Sequence, residues 1–350
     1  MRRIAILAEG RFNWQDAKTA VGVLRYSADD VVAVIDSTSA GQDAAAALGD
    51  ANGPGRGVPV VANVAEALAY DPETLLIGIA PIGGRLPDAW HGEVIAALAA
   101  GLNLVSGLHH FLSEDSELAE VAQRHGAEIW DVRRPPDNLA MRIGTGQAHR
   151  AGSHVVYFYG TDCNVGKMTA AVEFDREARR RGLSSGFAPT GQTGIMIAGE
   201  GIPADRFISD FLPGGVEGMV LDFAERYDWV FVEGQGSLIH PAYSAVTLGL
   251  LHGAAPDLLV LCHQANRTHI HGYEVRIPPL VRMREIYEQA AGWLKPARVV
   301  AVAVNTYGLP EDEARAALAT AAAETGLLAS DPVRFGAGPL LDALGAVAQP

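Results

Sequence analysis

The sequence has few cysteines, and their positions exclude several kinds of site. Only two of the 350 residues are cysteine, Cys163 and Cys262. Neither has a second cysteine or a histidine at the short spacing that is typical of a metal site. We therefore expect a reduced, cytoplasmic protein without metal ligands around either thiol.

Long apolar segments and blocks of basic residues are also missing. The apolar run near the N-terminus stops at Glu9, which is too short for the core of a signal peptide. No segment has the roughly 20 apolar residues that span a bilayer. The net charge is −14, and the only basic run, residues 179–181, ends a predicted helix. We expect a small-molecule substrate, and neither nucleic acid nor a membrane as a partner.

The chain is long enough for two domains, and its composition provides a large core. Of its residues, 49% are hydrophobic, and short apolar strands alternate with helical stretches throughout, which is typical of α/β domains with mostly parallel sheets. We predict a Rossmann-like domain over 1–145 and a P-loop nucleoside triphosphate hydrolase-like domain over 150–350. The segment 133–138 connects them, because its paired prolines interrupt helix and strand. We expect a homo-oligomer, with which the alanine-rich helices are compatible.

Eleven strands are predicted from the apolar runs. In the first domain they are 4–8, 31–35, 58–61, 75–80, 102–105 and 128–131. In the second domain they are 155–159, 185–189, 229–232, 258–262 and 299–304. The clearest predicted helices are 89–100, 116–125, 168–181 and 314–325.

The first domain lacks the glycine pattern of dinucleotide-binding folds. Glu9, Gly10, Arg11 and Phe12 follow its first strand, where G-x-G-x-x-G would stand. Asp36 ends the second strand, at the position of a ribose-binding acid. Without the glycines, we favour a structural or substrate-gating role over NAD binding.

A glycine-bounded loop lies between the predicted strand 155–159 and the predicted helix 168–181. Backbone N–H groups, a helix N-terminus and a lysine together make such a loop a phosphate-binding site. We call residues 160–169 the P-loop. The predicted cofactor-binding residues are Gly160, Thr161, Asp162, Cys163, Asn164, Val165, Gly166, Lys167, Met168 and Thr169.

The residue pattern of the P-loop differs from the common motif G-x-x-x-x-G-K-[ST] at two points. Its first glycine lies six positions before Gly166, which resembles the longer loop of dethiobiotin synthetase. Met168 stands where a hydroxyl normally ligates Mg²⁺. Moving the hydroxyl on to Thr169 turns it by roughly 100° around the helix. The loop is therefore better suited to holding a pyrophosphate than to cleaving one.

Polar residues follow the other strands of the second domain, at the edge where α/β sheets bind ligands. Gln192 and Thr193 lie between glycines and could contact phosphate or substrate, or form a polar turn. Glu233 ends a strand and begins Glu-Gly-Gln-Gly-Ser, again similar to dethiobiotin synthetase. It could ligate a metal, act as a general base or cap a turn.

Three histidines follow the strand 258–262, but their spacing disfavours a metal site. His269 and His271 are two apart, and His263 stands alone. Asn266 and Arg267 between them are typical of substrate contacts, since a guanidinium binds carboxylate or phosphate.

These motifs together resemble a bacterial P-loop family that includes the D-glutamate N-acetyltransferase of D-amino-acid catabolism. The resemblance extends over nearly the whole chain, and the Gly-Lys-Met-Thr spelling at 166–169 is its most specific element. It implies that the P-loop binds acetyl-CoA and that the acetyl group moves to the amine of D-glutamate or a related D-amino acid.

This chemistry suggests roles for individual residues. We assign the base to Glu233, with His263 as the competing base, and the oxyanion contacts to backbone N–H groups of 234–236. Arg267 is expected to bind the substrate carboxylate, and no metal is expected. The predicted substrate-binding residues are Gln192, Thr193, Gln235, Ser237, Asn266 and Arg267.

Two other classes of protein remain open from the sequence. An ATP-dependent ligase or kinase related to dethiobiotin synthetase would use the same P-loop and Glu233, but it would have to bind Mg²⁺ without a hydroxyl at residue 168. A non-catalytic nucleotide sensor would bind ligand without turnover.

Overall fold

Two parallel β-sheets organise the chain, one in each of two units. The computed structural model describes residues 1–81 and 83–348. The first unit is Met1–Arg134 with Gln192–Gly199, and the second is Pro135–Gly191 with the chain from Glu200 onward. The division falls within the proline-containing segment 133–138, and residues 135–145 pack with the second unit. The domain limits 1–145 and 150–350 stay predictions.

The strands and helices alternate along the chain. The strands are β1 Arg3–Leu7, β2 Asp30–Ile35, β3 Val60–Val61, β4 Thr74–Ile77, β5 Asn103–Ser106, β6 Ile129–Asp131, β7 His154–Gly160, β8 Ser185–Ala188, β9 Trp229–Glu233, β10 Leu258–Gln264, β11 Arg298–Asn305 and β12 Leu328–Ser330. The helices are α1 Lys18–Tyr26, α2 Ala44–Ala47, α3 Val64–Ala67, α4 His91–Ala99, α5 Ser116–His125, α6 Asp137–Ala140, α7 Lys167–Arg180, α8 Gln192–Ala198, α9 Leu212–Ala224, α10 Ser244–Ala254, α11 Leu280–Gly292, α12 Glu311–Thr325 and α13 Gly338–Ala348.

Each sheet has six strands, and all the paired strands run parallel. The first has the order β3-β2-β1-β4-β5-β6, which is the dinucleotide-fold order, and the second has the order β12-β11-β10-β7-β9-β8. The pairings are parallel throughout. The predicted fold, a Rossmann-like domain followed by a P-loop domain, is therefore confirmed.

The central strands are buried because helices cover both faces of each sheet. Ile4 and Ile6 of β1 are fully buried, as are Tyr157, Phe158 and Tyr159 of β7. Consecutive buried residues on one strand explain the continuous apolar runs in the sequence, since neither face needs polar residues.

Local signals in the sequence set the ends of several elements. Asp115 caps α5 by accepting hydrogen bonds from the backbone N–H groups of Glu117 and Leu118. Gly126 ends the helix with a φ of +70°, a conformation that favours glycine. These signals explain why the predicted helix 116–125 agrees with α5.

All eleven predicted strands are present, whereas β12 was not predicted and α8 was predicted as a loop or turn. β12 is a three-residue edge strand, too short for an apolar run to reveal it. The segment around Gln192 and Thr193 was interpreted as a glycine-framed loop or turn, but it forms α8 with Gly194 inside the helix. Packing within the first unit, to which α8 belongs, outweighs the weak helix propensity of glycine.

Asp36 has a structural role in the first unit. Its carboxylate accepts hydrogen bonds from the Gly10 N–H at 2.6 Å and the Thr38 hydroxyl at 2.8 Å, and a further one from the Ser39 hydroxyl. Asp36 is 1% exposed. The residue therefore joins the loops that follow β1 and β2.

Within residues 1–81 and 83–348, none of the helices combines the length and the hydropathy that crossing a bilayer requires.

Candidate active site at the P-loop

The topology of the second sheet brings three predicted site segments to one edge. β7 lies between β10 and β9. The P-loop follows β7, Glu233 ends β9, and His263 is the second-last residue of β10. Because parallel strands all end at the same edge, these segments meet there, at the point where the strand order reverses.

The P-loop connects strand to helix as predicted. β7 ends at Gly160 and α7 begins at Lys167. Gly166 has a φ of +100°, a conformation that disfavours a side chain. At Gly160, a Cβ atom would lie 2.8 Å from Val165 Cγ2 and 3.0 Å from Lys167 Nζ. Both glycines are therefore required by the shape of the loop.

Lys167 is buried within the loop and contacts backbone oxygens. Its Nζ donates hydrogen bonds to the carbonyl oxygens of Asp162 at 2.7 Å and Gly236 at 3.0 Å. The residue is 7% exposed, and burial lowers the pKa of its ammonium group. The lysine thus carries its charge inside the loop, and phosphate binding there stays a prediction.

Asp162 and Arg267 hold the start of the P-loop. The fully buried Asp162 carboxylate accepts hydrogen bonds from the backbone N–H groups of Cys163 at 2.6 Å and His271 at 2.8 Å. Arg267 Nη1 donates to Asp162 Oδ2 at 2.9 Å and to the Cys163 carbonyl at 3.0 Å. In this structure the guanidinium pairs with a protein carboxylate, and its predicted contact with a substrate carboxylate stays a prediction.

Glu233 is a buried carboxyl group at the end of β9. Its Oε2 accepts hydrogen bonds from the N–H groups of Thr190 at 3.0 Å and Gly191 at 3.2 Å. Burial raises its pKa to about 7, against the opposing effects of those N–H groups and of Lys167. A carboxyl group with this pKa can gain and lose a proton near neutral pH, which suits a general base.

Gln235 and Ser237 lie in the loop after β9. The Gln235 Nε2 atom donates to Glu233 Oε1 at 3.1 Å and to Thr190 Oγ1 at 3.2 Å. Ser237 is fully buried. The structure therefore brings Gln235 against the candidate base, and the predicted substrate contacts of both residues stay predictions.

His263 contacts Thr161, the second residue of the P-loop. His263 Nδ1 and Thr161 Oγ1 are 3.0 Å apart and share a hydrogen bond. Burial, together with the charge of Arg267, lowers the pKa of His263 to about 4. The imidazole is therefore neutral at pH 7, and its conjugate acid is much stronger than that of Glu233.

His263 and Asn266 line an open groove of about 380 Å³. Asn266 adopts a left-handed backbone conformation, with a φ of +64°. Val304 and residues of α12, among them Ala317 and Thr320, form other parts of the groove. Glu233 and Lys167 are not among the lining residues.

Gln192 and Thr193 belong to the first unit, unlike the other predicted substrate-binding residues. Gln192 Nε2 donates a 3.4 Å hydrogen bond to Thr19 Oγ1, and Thr193 Oγ1 lies 3.1 Å from the same oxygen. Both side chains therefore contact α1, and their predicted substrate role stays a prediction.

His240 is a site residue that was not predicted from the sequence. It lies in the loop between β9 and α10, is 3% exposed, and has its Nε2 3.9 Å from Asp162 Oδ1. One ligand atom each of Asp162, Cys163 and His240 lies within 4.8 Å of the others. The signal in the sequence was its position in the loop that follows Glu233, three residues after Ser237.

Comparison with known proteins agrees with this geometry. Residues 37–135 match the Rossmann-like N-terminal domain of the domain of unknown function DUF1611, and residues 142–341 match its C-terminal P-loop domain. The chain is also similar over its full length to a solved structure, a DUF1611 family protein from Anabaena variabilis. The two share 42% identity with a TM-score of 0.92, over 99% of this chain and 100% of that one.

Two curated relatives carry a named activity. The D-glutamate N-acetyltransferase of Tritonibacter scottomollicae is 42% identical over 286 residues, 81% of this chain and 84% of the relative. The D-glutamate N-acetyltransferase of a Pseudoalteromonas species is 35% identical over 276 residues, 78% of this chain and 82% of the relative. The chain is therefore an enzyme of the acyltransferase class. With both domain matches in order and these relatives along most of its length, the chain belongs to the DUF1611 family.

Proposed function

We propose that the protein is an N-acetyltransferase that moves an acetyl group from acetyl-CoA to the amine of D-glutamate or a related D-amino acid. The observation that carries the proposal is the buried Glu233, with a pKa of about 7, on the strand next to the P-loop. The names of the two relatives support the same activity.

The residues of the P-loop suit the pyrophosphate of acetyl-CoA. The lysine and the helix N-terminus provide positive potential for phosphate oxygens. Met168, at the second position of α7, supplies no oxygen for Mg²⁺. Holding a pyrophosphate without cleaving it needs no such metal. In this proposal Lys167 exchanges a backbone carbonyl for a phosphate oxygen, which is a stronger acceptor.

Glu233 fits the role of base better than His263. A base is most effective when its pKa is close to the working pH. Glu233 has a pKa of about 7, whereas that of His263 is about 4. The shared hydrogen bond between His263 and Thr161 instead suits a role in holding the P-loop.

The proposed reaction needs few groups. The acceptor reacts as the neutral amine, after its ammonium proton has passed to solvent. Its nitrogen attacks the thioester carbonyl carbon, a C–N bond forms, and Glu233 accepts a proton from the nitrogen. Backbone N–H groups of 234–236 stabilise the oxyanion. The C–S bond then breaks, and Glu233 returns the proton to the sulfur, so that N-acetyl-D-glutamate and CoA leave with no net change in the enzyme.

Arg267 is proposed to bind a carboxylate of the acceptor. Both of its hydrogen bonds to the P-loop come from Nη1. The guanidinium has further N–H donors, and its planar shape lets it bind a second anion at the same time. We assign these donors to a substrate carboxylate.

Thiol release from acetyl-CoA, measured with a panel of D- and L-amino acids, tests the proposal. We expect release that depends on D-glutamate, with N-acetyl-D-glutamate identified by mass spectrometry. Parallel samples with ATP and Mg²⁺ in place of acetyl-CoA are assayed for ADP. ADP formation without thiol release would overturn the proposal in favour of an ATP-dependent ligase or kinase.

A further inference from the structure

His240 is held rigidly beside the start of the P-loop. Its ring packs against Tyr243, with centroids 4.5 Å apart, and against Tyr273 at 5.2 Å. Only 3% of the residue is exposed. The ring orientation is therefore set by packing and does not depend on a bound ligand.

A backbone hydrogen bond selects the tautomer of His240. The Ala242 N–H donates to Nδ1 at 3.1 Å. A nitrogen that accepts a hydrogen bond carries no proton, so the neutral imidazole has its proton on Nε2. Burial lowers the pKa of His240, which favours this neutral form. His240 is consequently a hydrogen-bond donor at Nε2 and cannot act there as a base.

The Nε2–H group has no hydrogen-bond partner within the part of the chain that the structure describes. Asp162 Oδ1, at 3.9 Å, is beyond hydrogen-bond distance. The donor is therefore open to an acceptor, which a ligand in the P-loop can supply.

The loop that carries His240 also contacts the lysine of the P-loop. Gly236 in this loop accepts a hydrogen bond from Lys167 Nζ, and a ring nitrogen of His240 lies within 4.8 Å of Cys163 Sγ. One loop thus places a carbonyl oxygen at Lys167 and an imidazole at the first residues of the P-loop. An anion bound by Lys167 would therefore lie close to the loop that carries His240.

We propose that the Nε2–H of His240 donates a hydrogen bond to a phosphate oxygen of the ligand in the P-loop. His240 is then a binding residue supplied to the P-loop by a distant part of the chain. The ligand class is a pyrophosphate, and its identification with that of acetyl-CoA rests on the proposed function. A neutral donor suffices there because Lys167 and Arg267 already provide positive charge.

The same cluster could instead be imagined as a metal site made of Asp162, Cys163 and His240. Two features argue against it. A metal needs an unprotonated nitrogen, but Nδ1 already accepts from Ala242 and Nε2 carries the proton. Asp162 is already paired with Arg267 at 2.9 Å, and that cation opposes a second one.

A pair of matched variants tests the inference. His240→Asn keeps an acceptor near Nδ1 for the Ala242 N–H but removes the Nε2 donor, whereas His240→Gln keeps an N–H near the position of Nε2. Inorganic pyrophosphate and CoA are titrated into each full-length protein by calorimetry. We expect about tenfold weaker binding of both in His240→Asn and near wild-type binding in His240→Gln. Both variants lose the packing of the imidazole ring against Tyr243 and Tyr273, so their melting temperatures should fall by similar amounts and the difference in binding is read between the two variants.

Acetyl transfer from S-acetylpantetheine, which lacks the pyrophosphate, separates phosphate binding from chemistry. His240→Asn should raise the KM for acetyl-CoA, and kcat/KM should fall about tenfold more for acetyl-CoA than for S-acetylpantetheine. An equal loss with both donors would overturn the inference, as would wild-type pyrophosphate affinity in His240→Asn or stoichiometric Zn²⁺ binding that depends on His240. If pyrophosphate binding depends on His240 but no acetyl transfer occurs, the inference stands and the proposed function fails.

Discussion

Lys167 Nζ donates a 3.0 Å hydrogen bond to the carbonyl oxygen of Gly236, so one buried ammonium group joins the P-loop to the loop that follows the candidate base Glu233. The contact joins the loops that follow β7 and β9, two strands that are separated in sequence but adjacent in the sheet. Binding of phosphate at Lys167 is therefore expected to affect the position of the Glu233 loop as well.

Replacing Lys167 by methionine should abolish tight ligand binding without unfolding the protein. Hydrogen bonds to charged groups contribute about 1.5–3 kcal/mol each, so we expect kcat/KM for acetyl-CoA to fall by about 100-fold. Methionine fills a similar volume, and the removal of a buried cation partly offsets the loss of two hydrogen bonds to backbone carbonyl oxygens, so the protein should stay folded with a modestly lower melting temperature. Steady-state kinetics and thermal unfolding measure the two effects.

Lys295→Met is the matched control. Lys295 pairs with Asp257 at 2.7 Å and lies outside the candidate site. Its replacement should leave kcat/KM at the wild-type value. Equal losses in the two lysine variants would show that the effect of Lys167 is not specific to ligand binding.

The rate of acetyl transfer should rise with pH through about 7. A base must be deprotonated to act, and Glu233 has a pKa of about 7, so kcat should rise to a plateau above this pH. Glu233→Gln should lower kcat by about 10²- to 10⁴-fold and remove this limb of the profile. The profiles of kcat against pH for both proteins are the measurement.

The variant His263→Asn tests whether His263, and not Glu233, is the general base. If His263 were the base, the profile would bend near pH 4, since the pKa of His263 is lowered to about 4. We expect the bend near pH 7 to persist in His263→Asn. A profile that bends near pH 4 in the wild type and in Glu233→Gln, and that loses this bend in His263→Asn, would assign the base to His263.

Glu233 should also make the stability of the protein depend on pH. Its folded pKa of about 7 exceeds the ordinary value of 4.5, so between these values the folded state holds more protons than the unfolded state. The free energy of unfolding therefore falls as pH rises through this window, by about 3 kcal/mol in total. Urea unfolding at pH 5 and pH 8 should show this dependence reduced in Glu233→Gln, whereas an unchanged dependence would contradict the assignment.

Glu217 should stabilise the second unit through the segment 145–147. Its carboxylate accepts hydrogen bonds from the Thr145 N–H and hydroxyl, both at 2.6 Å, from Gly146 at 3.1 Å and from Gln147 at 3.0 Å. Burial alone would raise the pKa of Glu217, but these bonds outweigh it and lower the pKa. The carboxylate form is therefore the stabilising one.

Replacing Glu217 by alanine should lower the free energy of unfolding by about 3 kcal/mol at pH 7. Because the folded pKa is depressed, this contribution is present above the ordinary value and is lost as pH falls through the folded value. Urea unfolding at pH 7 and pH 3 should show a large difference that shrinks in acid. The exposed Glu225 is the control, and Glu225→Ala should change stability by less than about 0.5 kcal/mol.

Met168→Thr should not create a nucleotide triphosphatase. The substitution restores the hydroxyl that P-loop enzymes use to ligate Mg²⁺, and an ATP-dependent enzyme would gain turnover from it. We expect no ADP release from ATP and Mg²⁺ by the wild type or the variant, together with unchanged CoA binding. A gain of ADP formation in Met168→Thr would favour the ligase or kinase alternative.

Much of the fold was predictable because its signals are local. Apolar runs located every strand except the three-residue β12, and caps such as Asp115 and Gly126 set helix ends. Around Gln192 the local signals failed, since glycines that indicated a loop lie within α8. There, contacts with α1 in the first unit decided the conformation.

The sequence by itself determined the P-loop and the acid at the end of the next strand in the sheet, because strand, turn and helix propensities act between neighbouring residues. Only the tertiary structure decided which side chains meet. Arg267 pairs with Asp162 across 105 positions of sequence, and His240 approaches the same carboxylate from a third segment. The order of strands in the sheet decides which of these side chains come into contact. Burial at that edge, which no local pattern encodes, moves the pKa of Glu233 to about 7 and that of His263 to about 4.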